Sequence, residues 1–325
     1  MSIAAIVVNP VKVDEPALRA ALAAAEERWG WEPTLWLETT PDDPGTGQTR
    51  QAVERAVDVV IAAGGDGTVR TVAEALRGTG TPLALLPSGT GNLLARNLGL
   101  TLDDVGHSLD SAFGGDDRPI DVGVAELRDS DGTTTEHAYL VMAGFGIDAQ
   151  MIAATDDDLK AKAGWLAYVK AIGTVLRDKN ELRLRYRLDG GTVHSVRAHT
   201  VIVGNCGSLP ANILLLPDAA VDDGQFDIVV LRPEGFFGWV QIVAKVFWEN
   251  GVLRRTSVGR RMMGSGREIR AMNYLKGREL VVRLSRPESV DLDGDLFGEV
   301  IAMRTRVDPL SLVVKVPGDP GAATR

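Results

Sequence analysis

The sequence lacks several features that would assign it to a class of protein at once. It contains one cysteine, Cys206, among 325 residues, which excludes an internal disulfide framework and any metal site built from several cysteines. No apolar run approaches the roughly 20 residues that a helix needs to cross a bilayer. The N-terminal apolar run stops at Val8 and has no basic flank, so we expect neither a membrane span nor a signal peptide, and a cytoplasmic location.

Common motifs of nucleotide and metal binding are absent as well. No segment has the G-x-x-x-x-G-K-[ST] spacing of a P-loop, and no G-x-G-x-x-G follows the first predicted strand. The four histidines match no metal-binding spacing such as H-E-x-x-H. With 35 basic against 44 acidic residues the net charge is −9, which disfavours nucleic acid as a partner.

The first third of the chain shows a regular alternation of β-rich and helical patterns. The length predicts about two domains. Strands are predicted at 3–8, 34–37, 59–63 and 83–86, of which the first and third are expected to be buried. Helical patterns follow them at 17–29, 48–56, 69–76 and from about 93. This order predicts an α/β domain, a doubly wound parallel sheet with helices on both faces, over residues 1–121.

The pattern changes after residue 121. Short β-rich runs separated by turn signals stand at 138–142, 182–188, 200–203, 226–231, 279–284 and 310–316. Two helical patterns interrupt them, at 159–176 and 238–250. We therefore predict a second, mainly antiparallel β domain over 122–317, whose last strand packs back on the first domain, and a flexible tail at 318–325.

A glycine-rich loop, Gly64-Gly65-Asp66-Gly67-Thr68, follows the third predicted strand. Its glycines let the backbone approach a ligand, and the next helix adds its positive N-terminal end, so the loop can hold phosphate. Asp66 would repel a bare phosphate, which favours a magnesium-bound polyphosphate as the guest. Taken alone, the loop could also be a tight turn without a ligand.

A second loop, Ser88-Gly89-Thr90-Gly91-Asn92, repeats this design after the next strand. It adds two hydroxyls and an amide at another helix start. In parallel sheets, ligands bind at the carboxyl ends of the strands, and both loops follow such ends. Two adjacent loops of this kind indicate a phosphate site more strongly than either loop alone.

Together with further segments, these loops resemble the diacylglycerol kinase catalytic-domain family, which includes bacterial lipid kinases, sphingosine kinases and ceramide kinases. The Gly-Gly-Asp-Gly-Thr loop alone would also suit NAD kinases and phosphofructokinase relatives, but the ordered set is specific to the lipid kinase group. The matching segments are 8–10, 64–68, 88–92, 120–123, 144–149, 204–205, 217–219, 222–224 and 292–295.

The resemblance implies ATP and Mg²⁺ as cofactors, with ATP bound between the domains. The implied ATP contacts are Asn9, Thr40, Gly64, Gly65, Asp66, Gly67, Thr68, Ser88, Gly89, Thr90 and Asn92. For the metal, Asp66 and Asp121 are candidates from their charge, and the resemblance adds backbone carbonyls that map to Ala220, Asp223 and Gln225.

The resemblance also implies the catalytic base. The family's Asp-Gly-Glu segment supplies a carboxylate that takes a proton from the substrate hydroxyl, and here it reads Asp293-Gly294-Asp295. Asp295 is one methylene shorter than glutamate and reaches roughly 1.5 Å less far, so either carboxylate could be the base, with Asp66 organising charge. In isolation, Asp-Gly is also a favoured hairpin turn.

The sequence departs from the family at other positions too. Val11-Lys12-Val13 follows Asn9-Pro10 where the family often has Ser-Gly, and Arg70-Thr71 stands where Asn-Glu is common. Leu93 replaces an Asp of the second loop. The change at 11–13 concerns the phosphate grip at the end of the first predicted strand.

The expected function is therefore an ATP-dependent kinase that phosphorylates the primary hydroxyl of a diacylglycerol-like lipid. A sphingoid base or NAD remains open as another acceptor, and so does an inactive nucleotide-binding module that docks on membranes.

The aromatic segment 235–248 could be a core helix or a membrane-facing one. The stretch 254–286 holds ten Lys or Arg against two acids, which suits peripheral contact with an anionic inner membrane face. A homodimer is also left open.

Overall fold

The structure is a computed structural model that describes residues 2–146, 181–209, 213–233 and 272–318, with Gly238 and Ile242. Several sequence predictions lie outside these residues. They are the helical pattern 159–176, most of 238–250, the aromatic segment 235–248 apart from Gly238 and Ile242, the basic stretch up to residue 271, and the tail after 318.

The first part of the chain alternates strands and helices, as predicted. Its elements are β1 (Ala4–Val8), α1 (Glu15–Trp29), β2 (Leu35–Glu38), α2 (Thr46–Glu54), β3 (Val59–Gly64), α3 (Asp66–Leu76), β4 (Leu83–Pro87), α4 (Leu93–Asn97) and α5 (Val105–Gly114). The strands pair in parallel in the order β4-β3-β1-β2, which confirms the α/β fold class.

The strands of this sheet are apolar throughout because each face of the sheet is covered. Ile6 and Val8 of β1 pack in one core with side chains of α1 and α5, whereas Val7 packs in the other core with side chains of α2 and α3. Every residue of β1 and β3 is buried. A strand between two helix layers therefore shows a continuous apolar run and no alternation.

The second part consists of strands in the described residues. They are β5 (Asp116–Arg128), β6 (Thr134–Tyr139), β7 (Met142–Phe145), β8 (Leu182–Leu188), β9 (Val193–Ala198), β10 (Thr200–Gly204), β11 (Ser208–Leu209), β12 (Ile213–Leu214), β13 (Phe226–Leu231), β14 (Met272–Gly277), β15 (Glu279–Leu292) and β16 (Asp295–Val316). The pairings recorded among them are antiparallel, which confirms the predicted class of the second domain.

One strand joins the two halves. β16 pairs with β15 and β5 in antiparallel fashion, and its Val314 pairs in parallel with Leu83 of β4. The predicted strand 310–316 is the end of this 22-residue strand. Residue 121 lies within β5, so β5 also runs through the predicted boundary.

The predicted strand 138–142 is interrupted in the structure. β6 ends at Tyr139 and β7 begins at Met142. The backbone N–H groups of Leu140, Val141 and Met142 donate to the carboxylate of Asp293 at 2.7, 2.8 and 2.9 Å. These N–H groups bond to a side chain and not to a neighbouring strand, and the backbone bends at residues 140–141.

Candidate active site

The residues predicted to contact ATP gather at one edge of the parallel sheet. Asn9 follows β1 and Thr40 lies two residues after β2, while the two glycine-rich loops follow β3 and β4. Backbone hydrogen bonds join these ends, from Asn9 N to Ala63 O at 2.9 Å and from Ser88 N to Gly64 O at 3.1 Å. The structure thus brings the predicted contacts together, although their role in binding ATP stays a prediction.

The two loops pack against each other directly. A Cβ atom on Gly89 would lie 2.7 Å from Cα of Gly65, so no side chain fits at that position without moving the backbone. Asn92, at φ 48°, closes its own loop, since its Nδ2 donates to Gly89 O at 2.8 Å and its Oδ1 accepts from Gly89 N at 3.1 Å. The loop shape is therefore fixed without a ligand.

The side chain of Asp66 links the two loops. It begins α3, and its Oδ1 and Oδ2 accept backbone N–H groups of Leu93 and Asn92 at 2.6 and 2.9 Å. Burial raises the pKa of Asp66, the two N–H bonds oppose this, and the charge of Asp295 adds to the increase. A cation beside Asp66 would favour its ionised form.

The N-terminus of α3 supplies donors at this edge. The first intrahelical bond runs from Val69 N to Gly65 O, and the N–H groups at the start of a helix have no partner within the helix. Thr68 is buried with its side chain against Gly64, whereas Thr90 is exposed. Free N–H groups and a positive helix end suit bound phosphate.

Asp295 reaches this helix start from the second half of the chain. Its Oδ2 lies 3.0 Å from the position that a Cβ on Gly67 would take, and its side chain is 50% exposed. Arg70 Nη2 lies 3.5 Å from the same oxygen. An accessible carboxylate therefore stands beside the N-terminus of α3.

Asp293 has a different environment. It forms a two-residue turn with Gly294 between β15 and β16, and their φ angles of 54° and 95° are those that an Asp-Gly hairpin turn requires. Its buried carboxylate accepts the three N–H groups of residues 140–142. Burial raises its pKa to about 6, although these bonds and the charge of Arg70 lower it. The hydrogen bonds of the Asp293 carboxylate therefore hold the backbone of residues 140–142 in place.

Sequence analysis missed Asp291, which lies two residues before Asp293. Its Oδ1 accepts Gly294 N at 2.8 Å, and its buried Oδ2 has no hydrogen-bond partner among the described residues. Burial, with the charges of Asp293 and Asp295, raises its pKa to about 6. Its position between Val290 and Leu292, just before the Asp-Gly turn, was the available signal.

Arg70, a departure from the family pattern, is the centre of a second cluster. Its side chain is only 12% exposed, and its guanidinium lies 4.5 Å from the ring centroid of Phe297. Glu74, one turn further along α3, lies 3.8 Å from Nη1 and accepts Ala138 N at 3.0 Å. The ring of His137 packs against that of Phe297, with 4.7 Å between the two ring centroids. The sequence named Arg70 but not these neighbours.

The predicted metal ligands fall into two places. Asp121 is buried, and its Oδ1 and Oδ2 accept Leu310 N at 2.8 Å and Gly224 N at 2.6 Å. It therefore contacts the turn that holds the predicted carbonyl ligands Ala220, Asp223 and Gln225. Among the described residues, Asp66 and Asp121 share no hydrogen-bond partner.

The positive charge next to the side chains of this turn comes from Lys276. Lys276 Nζ lies 3.5 Å from Asp223 and 3.1 Å from Asp227, and donates to Asp218 O at 2.9 Å. In the described part of the chain, no three His, Cys, Asp or Glu side chains are grouped to hold a metal. Binding of magnesium by the backbone carbonyls of the turn stays a prediction.

Two family matches cover most of the chain. Residues 7–125 match the diacylglycerol kinase catalytic domain, and residues 141–316 match the YegS C-terminal NAD kinase beta sandwich-like domain. The chain belongs to the diacylglycerol kinase catalytic-domain family. No helix among the residues that the structure describes has the length and apolar character to cross a membrane.

Two of the three relatives of this family member described next carry kinase names. It is 29% identical over 323 residues to a protein of Pseudomonas aeruginosa (strain UCBPP-PA14) named "Probable lipid kinase YegS-like", covering 96% of this chain and 93% of that one. It is 24% identical over 274 residues to a diacylglycerol kinase of Bacillus subtilis, covering 84% and 82%. It is 26% identical to an uncharacterised Synechocystis protein, of whose length it spans 54%.

Solved structures show the same fold. A diacylglycerol kinase from Bacillus anthracis has a TM-score of 0.64 at 19% identity, covering 98% of this chain and 97% of that chain. An NAD kinase from Archaeoglobus fulgidus in complex with ATP has a TM-score of 0.51 at 12% identity, covering 97% and 94%. The family member therefore has a fold that lipid and NAD kinases share.

Proposed function

We propose that the protein is an ATP-dependent lipid kinase that phosphorylates the primary hydroxyl of a diacylglycerol-like lipid and forms a phosphatidate-like product. The observation that carries this proposal is the position of Asp295. A half-exposed carboxylate from the second half lies beside Gly67, which belongs to the first glycine-rich loop and to the N-terminus of α3. Phosphoryl transfer needs this combination of a phosphate site and an adjacent base.

In this proposal the chain binds ATP, orients it and removes one proton. The loop N–H groups and the start of α3 bind the phosphates. Asp295 accepts the proton of the lipid hydroxyl as its oxygen forms a bond to the γ-phosphorus, while the bond from that phosphorus to the bridging oxygen breaks and ADP leaves. Magnesium bound with ATP would neutralise phosphate charge, and Asp66, a half-buried carboxylate whose pKa is raised, fits a place beside it.

Asp295 is proposed as the base in preference to Asp293. The Asp293 carboxylate accepts three backbone N–H groups and is buried, whereas Asp295 is open to a substrate. A base must come within hydrogen-bond reach of the proton that it takes. Asp293 supports the turn from which Asp295 projects.

The side chains next to Asp295 favour a lipid acceptor. Leu296 is 58% exposed directly beside the proposed base, and Phe297 lies against Arg70 one residue further on. Apolar side chains at the mouth of a site suit an acyl chain better than a dinucleotide. The likeness to NAD kinases, at 12% identity, concerns the fold alone.

Transfer of radiolabelled phosphate from ATP to a panel of pure acceptors tests the proposal. The panel contains diacylglycerol, a sphingoid base and NAD, and Asp295→Asn serves as the matched inactive variant. Labelling of diacylglycerol that disappears in Asp295→Asn is the expected result. Labelling of NAD or the sphingoid base alone would change the acceptor, and ATP binding without any transfer would favour an inactive docking module.

A further inference from the structure

We infer that one face of the second domain is a docking surface for an anionic membrane. The face is built by β9, β8 and β15, which lie side by side as antiparallel neighbours. We call it the arginine face. It consists of Arg183, Arg185, Arg187, Arg197 and Arg283.

Strand alternation separates these arginines from the core. Along β8, Leu182 and Leu184 are buried in the core of the second domain, whereas Arg183, Arg185 and Arg187 between and after them are exposed. Because successive residues of a strand point to opposite faces, the three arginines share one face. All five members of the arginine face are exposed.

The register places like charges directly opposite each other. Arg183 pairs with Arg197 of β9, and Arg185 pairs with Arg283 of β15. Like charges in directly opposite positions destabilise a sheet. A face that served the fold alone would place acids at these positions, so the arrangement points to a partner that supplies the negative charge.

Compensating acids are few on this face. Glu181 lies 3.6 Å from Arg183 and 3.7 Å from Arg197 and is shared between them. Among the described residues, no ion pair is recorded for Arg185, Arg187 or Arg283. The chain as a whole has a net charge of −9, so this concentration of cations does not reflect a generally basic surface.

An anionic lipid surface fits the face better than other polyanions do. Val193 is 63% exposed and lies directly opposite Arg187, which places an apolar side chain among the guanidinium groups. Guanidinium groups bind phosphate oxygens in bidentate fashion, and apolar side chains enter the boundary between headgroups and acyl chains. The inference rests on the proposed function, because a lipid acceptor is reached at a membrane.

Vesicle sedimentation without ATP tests the arginine face directly. The variant Arg185→Gln/Arg283→Gln removes one cross-strand pair, and Arg50→Gln/Arg55→Gln removes two exposed arginines at α2 and just after it, with the same change in net charge. On vesicles of mixed phosphatidylglycerol and phosphatidylcholine, we expect the first variant to bind about 30-fold more weakly, at about fivefold per basic side chain. We expect little change for the second variant. Wild-type binding should fall with added salt and be weak on pure phosphatidylcholine.

Three results would overturn the inference. They are equal binding of wild type to both vesicles, equal loss in both variants, and tighter wild-type binding to duplex DNA than to anionic vesicles at matched salt. Circular dichroism should show that the variants are folded. Transfer to acceptor dispersed in detergent should be unchanged in Arg185→Gln/Arg283→Gln, and its loss there would assign the arginines to the site. If wild type binds vesicles but labels no lipid, the proposed function fails and the docking surface stands.

Discussion

Arg70 Nη2 lies 3.5 Å from Asp295 Oδ2, and the same guanidinium lies over the ring of Phe297 at 4.5 Å. A side chain of α3 and the first residues of β16 thereby hold each other at the proposed site. Since Arg70 is largely buried and its planar group is fixed by the ring, it can restrict the positions open to the Asp295 carboxylate. The positioning of a base strongly affects its efficiency.

Arg70→Gln should therefore lower kcat by about 10- to 100-fold, because the proposed base loses its partner. KM for ATP should change less, since the glycine-rich loops remain. Arg77→Gln, directly after the same helix, is the control. Arg77 pairs with Glu136 and Asp308 away from the loops, so its loss should affect stability and leave kcat near the wild-type value. Equal kcat values for both variants would contradict a positioning role for Arg70.

Asp293→Asn and Asp295→Asn should fail for different reasons. Asp295→Asn should lose about 100- to 10,000-fold in kcat, the usual contribution of a general base, with an unchanged melting temperature because the side chain is half exposed. Asp293→Asn should lower the free energy of unfolding by about 1–3 kcal/mol, because an amide cannot accept all three N–H groups. Urea unfolding and steady-state rates distinguish the two. A stable but inactive Asp293→Asn would make Asp293 the base.

Asp293 and Asp295 show how much of the candidate site the sequence predicts. The Asp-Gly-Asp segment predicts a turn and a pair of carboxylates, and the structure contains both. Residue identity gives chemistry but not accessibility. Which carboxylate is occupied depends on the break between β6 and β7, about 150 residues away along the chain, whose three N–H groups point at Asp293. A single sequence carries no sign of that contact.

The same reasoning applies to the strands. β1 and β3 were predictable because burial on both faces makes them continuous apolar runs. Most of β16 was not, since only its end at 310–316 is rich in apolar residues and its earlier part alternates charged residues with buried ones. Arg70 was noted as a departure, but its contact with Phe297 joins positions 227 residues apart and has no local pattern.

The contact between the two glycine-rich loops gives an asymmetric prediction. Gly89→Ala should destabilise the protein by about 1–3 kcal/mol, because the new Cβ would meet the backbone of Gly65 at 2.7 Å. Gly65→Ala is the matched control, since its Cβ would lie 3.8 Å from Gly89, an ordinary contact. Thermal unfolding without nucleotide measures both. Similar melting temperatures for the two variants would show that the loops can separate without cost.

Asp291 predicts a pH dependence of stability. Its pKa of about 6 in the folded chain lies above its ordinary value of 3.8. The folded state therefore binds this proton more tightly than the unfolded state does. The stabilisation from the group is fully present below about pH 3.8 and is lost as the pH rises through about 6.

Asp291→Asn removes this titration while its Oδ1 can still accept Gly294 N. The free energy of unfolding of the variant relative to wild type should therefore rise between about pH 4 and pH 7.5, by up to about 3 kcal/mol. The slope is the test, because an unpartnered buried amide at the Oδ2 position lowers stability at every pH. Urea unfolding at both pH values measures it, with exposed Asp103→Asn as the control. A difference between Asp291→Asn and wild type that stays constant with pH would mean that Asp291 does not titrate in this range.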